Sequence, residues 1–234
     1  MLVAMVIAVA VGVPLGVLAA VRADRLADHL SLIISLMFLS VPAFWLAILM
    51  QLFLGLKLGW LPISGRLEAL TIPPPHVTGL YLVDSLLAGK WSLFVDCLKH
   101  IMLPAITLSV GAMATIARFT RASLLEVLGN EYVRTARAKG LTERSVIFRH
   151  ALRNSFIPTL TMIGLSFGWA MGGSVLVETV FDWPGIGLYA TKSALTLDFM
   201  PIVGIALLYG IVFSLINILV DVSYGFLDPR VTHS

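Results

Sequence analysis

Hydrophobic and polar positions alternate here on a long scale. Five uncharged runs, 2–21, 30–56, 101–117, 155–177 and 199–220, are separated by segments that hold almost all of the charge. Each run meets or nearly meets the roughly 20 residues needed to cross a 30 Å hydrocarbon core. A bilayer offers no water to backbone N–H and C=O groups, so each run is predicted to be a helix. The run 101–117 is short and is expected to extend back toward Cys97 or to tilt little. A proline sits in or beside every run (Pro14, Pro42, Pro104, Pro158, Pro201). Each removes a backbone donor and can kink its helix. The predicted fold is all-α: a polytopic membrane protein with five spans in a single transmembrane domain over residues 1–234. A long loop, 57–100, lies on one side and a basic segment, 125–154, on the other.

Composition supports this pattern. Hydrophobic residues make up 59% of the chain and charged ones 12%, with a mean hydropathy of +0.96. A soluble domain carries about twice that charged fraction. The apolar start has no A-x-A-like cleavage site, so it reads as a span rather than a leader. The single cysteine, Cys97, excludes an internal disulfide and a cysteine-based metal cluster. The histidines (His29, His76, His100, His150, His233) are scattered, with no HExxH and no GxxxxGK[ST] loop. No catalytic residue, metal site or cofactor is predicted, and the chain is not expected to bind or hydrolyse ATP itself. It also lacks a TVGYG filter and a row of arginines inside a span.

Lysine and arginine placement sets the predicted orientation. Eleven of the 16 fall on one side: Arg22 and Arg25, the eight from Arg118 to Arg153, and Arg230. The other side has Lys57, Arg66, Lys90, Lys99 and Lys192. The richer side is expected to be cytoplasmic, which places the N-terminus outside and the C-terminus inside. In the outer loop, Pro73-Pro74-Pro75 breaks helix, and the segments 84–87 and 91–99 are expected as short interfacial helices.

Gly164, Gly168 and Gly172 form a small-xxx-small row, as Gly12 and Gly16 do. Such a row lets another backbone approach closely. It is either a packing seam or a pathway contact that shifts during gating. Glu178, Asp182, Asp198 and Asp221 sit at predicted span ends, where solvation at the interface is expected. The stretch VETVFDWPGIGLYA carries Pro184, Gly185 and Gly187 and reads as a re-entrant or partly buried outer element.

The segment EYVRTARAKGLTERSVIFRHALRNSFIP, residues 131–158, departs from the rest. It holds six Arg or Lys against two acids. Leu125, Leu128, Tyr132 and Ala136 recur at helical spacing, which predicts an amphipathic helix. Gly140 suits the position just past its end. Thr142 can cap a second helix, with Glu143 favourable at its positive pole. That helix is expected to gather Ile147, Phe148, Ala151, Leu152 and Phe156 on one face, with Arg149, Arg153 and Asn154 elsewhere. Three readings compete: attraction to anionic lipid, nucleic-acid binding, and docking of a cytoplasmic partner.

These residues resemble the cytoplasmic "EAA" segment of permease subunits in ATP-binding-cassette importers. That pattern is Glu-Ala-Ala, three residues, Gly, nine residues, then an apolar residue before Leu-Pro. Gly140 matches the glycine, Arg134-Thr135-Ala136 fall on Glu-Ala-Ala, and Leu152 falls on the leucine. Arg134, Thr135 and Arg153 depart from the general pattern. The dipeptide/oligopeptide subfamily fits more closely, with YVRTARAKGL followed by RHALRNxxIP. GWLPISGR, His100 to Pro104, RFTRASLLEVL, VETVFDWPGIG and the terminal LDPR agree with it.

The resemblance implies a type I importer permease core in a bacterial or archaeal inner membrane. Its implied partners are a second homologous permease subunit, two cytoplasmic ATPases that bind ATP and Mg, an extracytoplasmic binding protein and the bilayer, but no nucleic acid. Glu131, Tyr132, Val133, Arg134, Thr135, Ala136, Arg137, Ala138, Lys139, Gly140 and Leu141 would insert into the ATPase. Arg149, His150, Leu152, Arg153 and Asn154 would form the second coupling helix. Members usually begin with one more span and an extracytoplasmic segment. The start seen here reads as a truncation or as a genuine five-span form. The alternative class is an ion-gradient-driven transporter or channel, which needs acids at mid-membrane that the runs lack. A non-transporting scaffold is the third.

Overall fold

The computed structural model describes residues 1–227. Arg230, His233 and all of the LDPR motif beyond Leu227 lie outside the described residues. The described chain is helical, with no strand among the described residues. In order the helices are α1 (Leu2–Val21), α2 (Leu26–Ser40), α3 (Ala43–Met50), α4 (Tyr81–Leu87), α5 (Trp91–Leu128), α6 (Glu131–Ala138), α7 (Glu143–Ser145), α8 (Leu152–Val180), α9 (Ile186–Leu195) and α10 (Phe199–Leu227). Two π-helical turns, Gln51–Lys57 and Val146–Ala151, extend α3 and join α7 to α8. Four of these helical stretches are long and apolar enough to cross a membrane, or five if the broken pair Asp28–Ser40 and Ala43–Lys57 counts as one span.

Several boundaries differ from the sequence expectation. The run 30–56 is one apolar block but two helices. Pro42 is extended (φ −61°, ψ 135°) because a proline has no N–H to continue the ladder. The run 101–117 is the middle of α5, a 38-residue helix. The expected interfacial helix 91–99 is simply its first turns. Pro14, Pro104 and Pro158 lie inside α1, α5 and α8.

The chain forms two compact units. One comprises Val41–Leu108 and Gly172–Ala206. Its core is Ala47, Leu103, Val177 and Phe181. Gln51, a polar residue in an apolar run, donates to the carbonyls of Ile63 (2.7 Å) and Val180 (2.9 Å). It therefore ties the loop after α3 to the end of α8. Glu178 is not simply solvated at an interface. Its carboxylate accepts the N–H groups of Gly187 (2.7 Å) and Leu188 (3.0 Å). These are donors that the first turn of α9 cannot satisfy internally. In the loop, Arg66 donates to the Pro184 carbonyl and lies over the rings of Tyr81 and Trp183.

Asp84 organises the start of α4. It is buried and accepts from Thr78 Oγ1 (2.7 Å), Thr78 N (2.7 Å) and Gly79 N (3.0 Å). The Thr78 hydroxyl, helped by those backbone groups and opposed by burial, holds its carboxyl below the ordinary value of 3.8. A depressed carboxylate stabilises fully above the unfolded pKa, and that contribution is lost as pH falls through the folded value. The protection of amides 78–84, measured against their intrinsic exchange rates, should therefore fall as the pH drops below 3.8. In Asp84→Asn it should already be low at neutral pH, with no acid step.

The second unit comprises Leu2–Ser40, Ser109–Met171 and the chain from Leu207. Here α1 packs on α5 through Met5, Ala8, Ala112 and Ile116. Gly16 makes the closest approach. A Cβ there would stand 2.5 Å from the Ala117 carbonyl oxygen and 2.6 Å from Thr120 Cβ. Gly168 instead faces the Phe213 ring of α10, at 2.5 to 2.6 Å from a built Cβ. A ring can swing, whereas a helix backbone cannot. Gly16→Ala should therefore cost about 1–3 kcal/mol, and Gly168→Ala less. Thermal unfolding in detergent, run side by side, checks the order.

Candidate docking site

The helix–turn–helix grows out of the end of α5. Gly129 and Asn130 stop that helix at Leu128, and Asn130 is extended (φ −73°, ψ 148°) as α6 begins. The predicted single amphipathic helix from Leu125 through Ala136 is thus two helices. The break resets the phase, so the buried face of α6 is Val133 and Ala136, while Tyr132 is exposed. Val133, Ala136 and Val146 form a small core with Val127 and Leu128 of α5.

Gly140 makes the turn with φ +80°, a left-handed conformation that a residue with a Cβ rarely adopts. Its N–H bonds to the Arg137 carbonyl (2.9 Å), and the Leu141 N–H reaches the Ala136 carbonyl (3.4 Å). Thr142 then caps α7, its hydroxyl accepting from Ser145 N (3.4 Å). No break separates this helix from the span, and Glu143–Val180 is continuous. The π-turn spacing explains the one misplaced residue. Val146 and Ala151, five apart, are both fully buried, and Phe148 points outward, exposed. Ile147 and Ala151 pack with Val17, Ala20 and Leu124 of α1 and α5.

Two cross-links brace the turn. Asn154 Nδ2 donates to the Tyr132 hydroxyl (2.9 Å), joining α6 to α8. Arg137 forks onto Glu143 across Gly140 (2.8 and 3.4 Å). Arg134 pairs with Glu131 (2.9 Å) within α6. Among the described residues, Lys139, Arg144, Arg149 and Arg153 form no ion pair with a carboxylate. The outer surface therefore presents Tyr132, Thr135, Ala138, Leu141 and Phe148 among loosely held or free cations. His150 and Leu152 are half-buried at the root, and Arg153 is exposed.

The glycine row divides. Gly164 and Gly168 face Val220 and Phe213 of α10, whereas Gly172 has nothing within 4 Å. The first two are thus in an intrachain seam, and only the third faces open space. One feature of this end had no local sequence signal. Asp28, 1% exposed, is bound by Arg121 through Nε (2.5 Å) and Nη2 (2.6 Å), with the Asp24 N–H as a third donor (3.0 Å). The partners are 93 residues apart. The hint available was an acid at the foot of one apolar run and arginines at the foot of another.

Membrane-length helices and a braced, basic helix–glycine–helix thus share one chain. A family model described as "Binding-protein-dependent transport system inner membrane component" matches residues 12–233. The chain belongs to that family and is a multi-pass inner-membrane protein. It is 44% identical over 200 residues to the di/tripeptide transport system permease protein DppB of Pseudomonas aeruginosa, covering 86% of this chain and 59% of that protein. It is 40% identical over 196 residues to the dipeptide transport system permease protein DppB of Escherichia coli K12, covering 83% and 58%. The chain thus spans about six-tenths of the length of these curated relatives. Among solved structures, an inward-facing form of the MetNI methionine ABC transporter shares the fold, with a TM-score of 0.71 over 97% of this chain and 90% of that one, at 19% identity.

Proposed function

We propose that the chain is a permease subunit of an ATP-driven importer for dipeptides or short oligopeptides, and that it forms half of the translocation pathway. The observation that carries this reading is the exposed side of the helix–Gly140–helix turn. Its inner side is spent on the chain's own core, while Tyr132, Leu141 and Phe148 remain outside with unpaired cations. Exposed apolar groups rimmed by charge mark an interaction surface. An ATPase with an apolar groove edged by acids fits it. On this reading the turn lies in the cytoplasm, with the N-terminus outside and the C-terminus inside, which the bias of the basic residues supports. Peptides are the substrate class because the relatives named above carry dipeptides or di/tripeptides in their names. A second permease subunit, two ATPases and a binding protein complete the assembly.

In this reading the two ATPases close on ATP, the docked turns move together, and the spans open outward. Hydrolysis reverses this. A rigid turn transmits such motion only if it contacts the ATPase differently in the two states. Arg137 and Arg134 already have exposed partners, and exposed pairs of this kind are worth about 0–1 kcal/mol. They can exchange those partners for acids of the ATPase. Lys139 has none to give up.

Uptake of a labelled dipeptide into proteoliposomes holding the complete transporter tests the proposal. Uptake should require ATP and all partner subunits. Arg137→Glu with Lys139→Glu should reduce it at least about tenfold, since two contacts of about 1 kcal/mol each become repulsive. Uptake driven by a proton gradient in this chain alone would overturn the proposal in favour of a secondary transporter.

A further inference from the structure

Helices α1, α2 and α5 enclose a cleft of about 290 Å3 within one compact unit. Its walls are mostly apolar, with Leu15, Leu18, Ile34, Phe38, Met113 and Ala114 among the lining residues. Beyond one end, by helical register, lies different chemistry. Asp28 lies one turn before Ser31 of the α2 wall, and Arg121 one turn after Ala117 of the α5 wall. These two make the bidentate pair described above.

Two more arginines reach the same end by helical register. Arg22 follows Leu18 by one turn, its N–H still bonded to the Leu18 carbonyl (3.1 Å). Arg118 follows Ala114 by one turn within α5. Both are exposed, and neither forms an ion pair with a carboxylate among the described residues. Arg25 is a third exposed cation, in the α1–α2 turn, with the exposed His29 beside it. The carboxylates at this end are Asp24 and Asp28. Four arginines against two aspartates leave an excess of two positive charges.

The occupant must be narrow, apolar along most of its length and anionic at one end. A helix with its side chains is about 10–12 Å across with a 5.4 Å pitch, so one turn fills roughly 400–600 Å3, more than the 290 Å3 of this cleft. An acyl chain is a single file of methylenes. Guanidinium groups take phosphate oxygens in pairs, and basic pockets between membrane helices hold anionic headgroups. A zwitterionic lipid would bring an ammonium into a site that already has surplus positive charge. We propose that the α1–α2–α5 cleft binds one anionic phospholipid, with an acyl chain between the helices and the headgroup phosphate on Arg22 and Arg118. Bound there, the lipid joins α1 and α2 to α5 beside the Asp28–Arg121 pair. The proposal does not depend on the transport reading.

The test is native mass spectrometry of the full chain released from nanodiscs of phosphatidylcholine containing a minority of phosphatidylglycerol. Wild type should retain one phosphatidylglycerol. Arg22→Gln with Arg118→Gln should weaken retention roughly twenty-five-fold, about fivefold per arginine. Ser31→Trp, which fills the cleft and leaves both arginines, should also lose the lipid. If that variant does not fold, the arginine pair decides alone. Arg144→Gln with Lys192→Gln, exposed cations that do not line the cleft, should retain it as wild type does. Equal retention of phosphatidylcholine, undiminished retention in the Arg22/Arg118 variant, or an equal loss in the Arg144/Lys192 variant overturns the site. A photo-crosslinker at Ile34 should capture lipid, and capture of a protein chain in the assembled transporter would equally overturn it.

Discussion

If the turn couples transport as proposed, Gly140→Pro should abolish ATP-dependent uptake by the assembled transporter while the chain still inserts in the membrane. Gly140 stands at φ +80°, and proline is confined near −65°, so the substitution cannot be absorbed locally. It also removes the N–H that bonds the Arg137 carbonyl. The turn must reopen, which separates Arg137 from Glu143 and pulls Tyr132 away from Asn154. Both braces lie outside the apolar runs, so insertion and the helix cores are spared. Gly140→Ala is the graded control. A left-handed alanine costs about 1–2 kcal/mol, enough to lower uptake but not to abolish it. The pair is read by dipeptide uptake in proteoliposomes, with the membrane-fraction yield of each variant alongside. Normal uptake by Gly140→Pro would overturn the proposed coupling role of the turn.

The positions read correctly in the sequence are those that local physics dictates. Thr142 caps and Gly140 turns because neither role needs a distant partner. The apolar runs identify helices, since backbone satisfaction in lipid permits little else. What the sequence hid were effects of phase and of pairing. Gly129 and Asn130 look like tolerable helix residues next to a strong amphipathic period, yet they stop α5 and turn Tyr132 outward. A π-turn inserts one residue per turn and moves Phe148 off the buried face, and periodicity at 3.6 cannot anticipate it. Gln51, Glu178 and Asp28 each find their role 9 to 129 residues away. Such polar residues within or beside apolar runs are the ones to question first. The glycine row shows the converse. Its spacing announces close packing but not that Gly164 and Gly168 meet α10 while Gly172 meets nothing.

Arg121→Met should be the most destabilising of the single substitutions considered, and adding Asp28→Leu should largely rescue it. Asp28 is 1% exposed, and both its oxygens are engaged by the Arg121 fork. Removing only the arginine leaves a buried carboxylate with one backbone donor, Asp24 N–H. Breaking a buried pair this way costs about 3–5 kcal/mol, whereas replacing both members by apolar groups is often neutral. Coulomb attraction alone would predict the opposite order, with the double substitution no better than the single. Thermal unfolding in detergent of the two singles and the double separates these outcomes. An unchanged midpoint for Arg121→Met would show that the pair contributes nothing. The effect should also travel. Arg121 sits one turn before Leu124 and Leu125, which pack against Ile147 and Ala151, and two turns before Leu128, which lies under Val133 and Val146. Loosening α5 at Arg121 therefore loosens the platform beneath the docking turn. Amide exchange across 131–141 should rise in the single variant and return toward wild type in the double, linking a buried ion pair at the foot of two spans to the surface proposed to meet the ATPase.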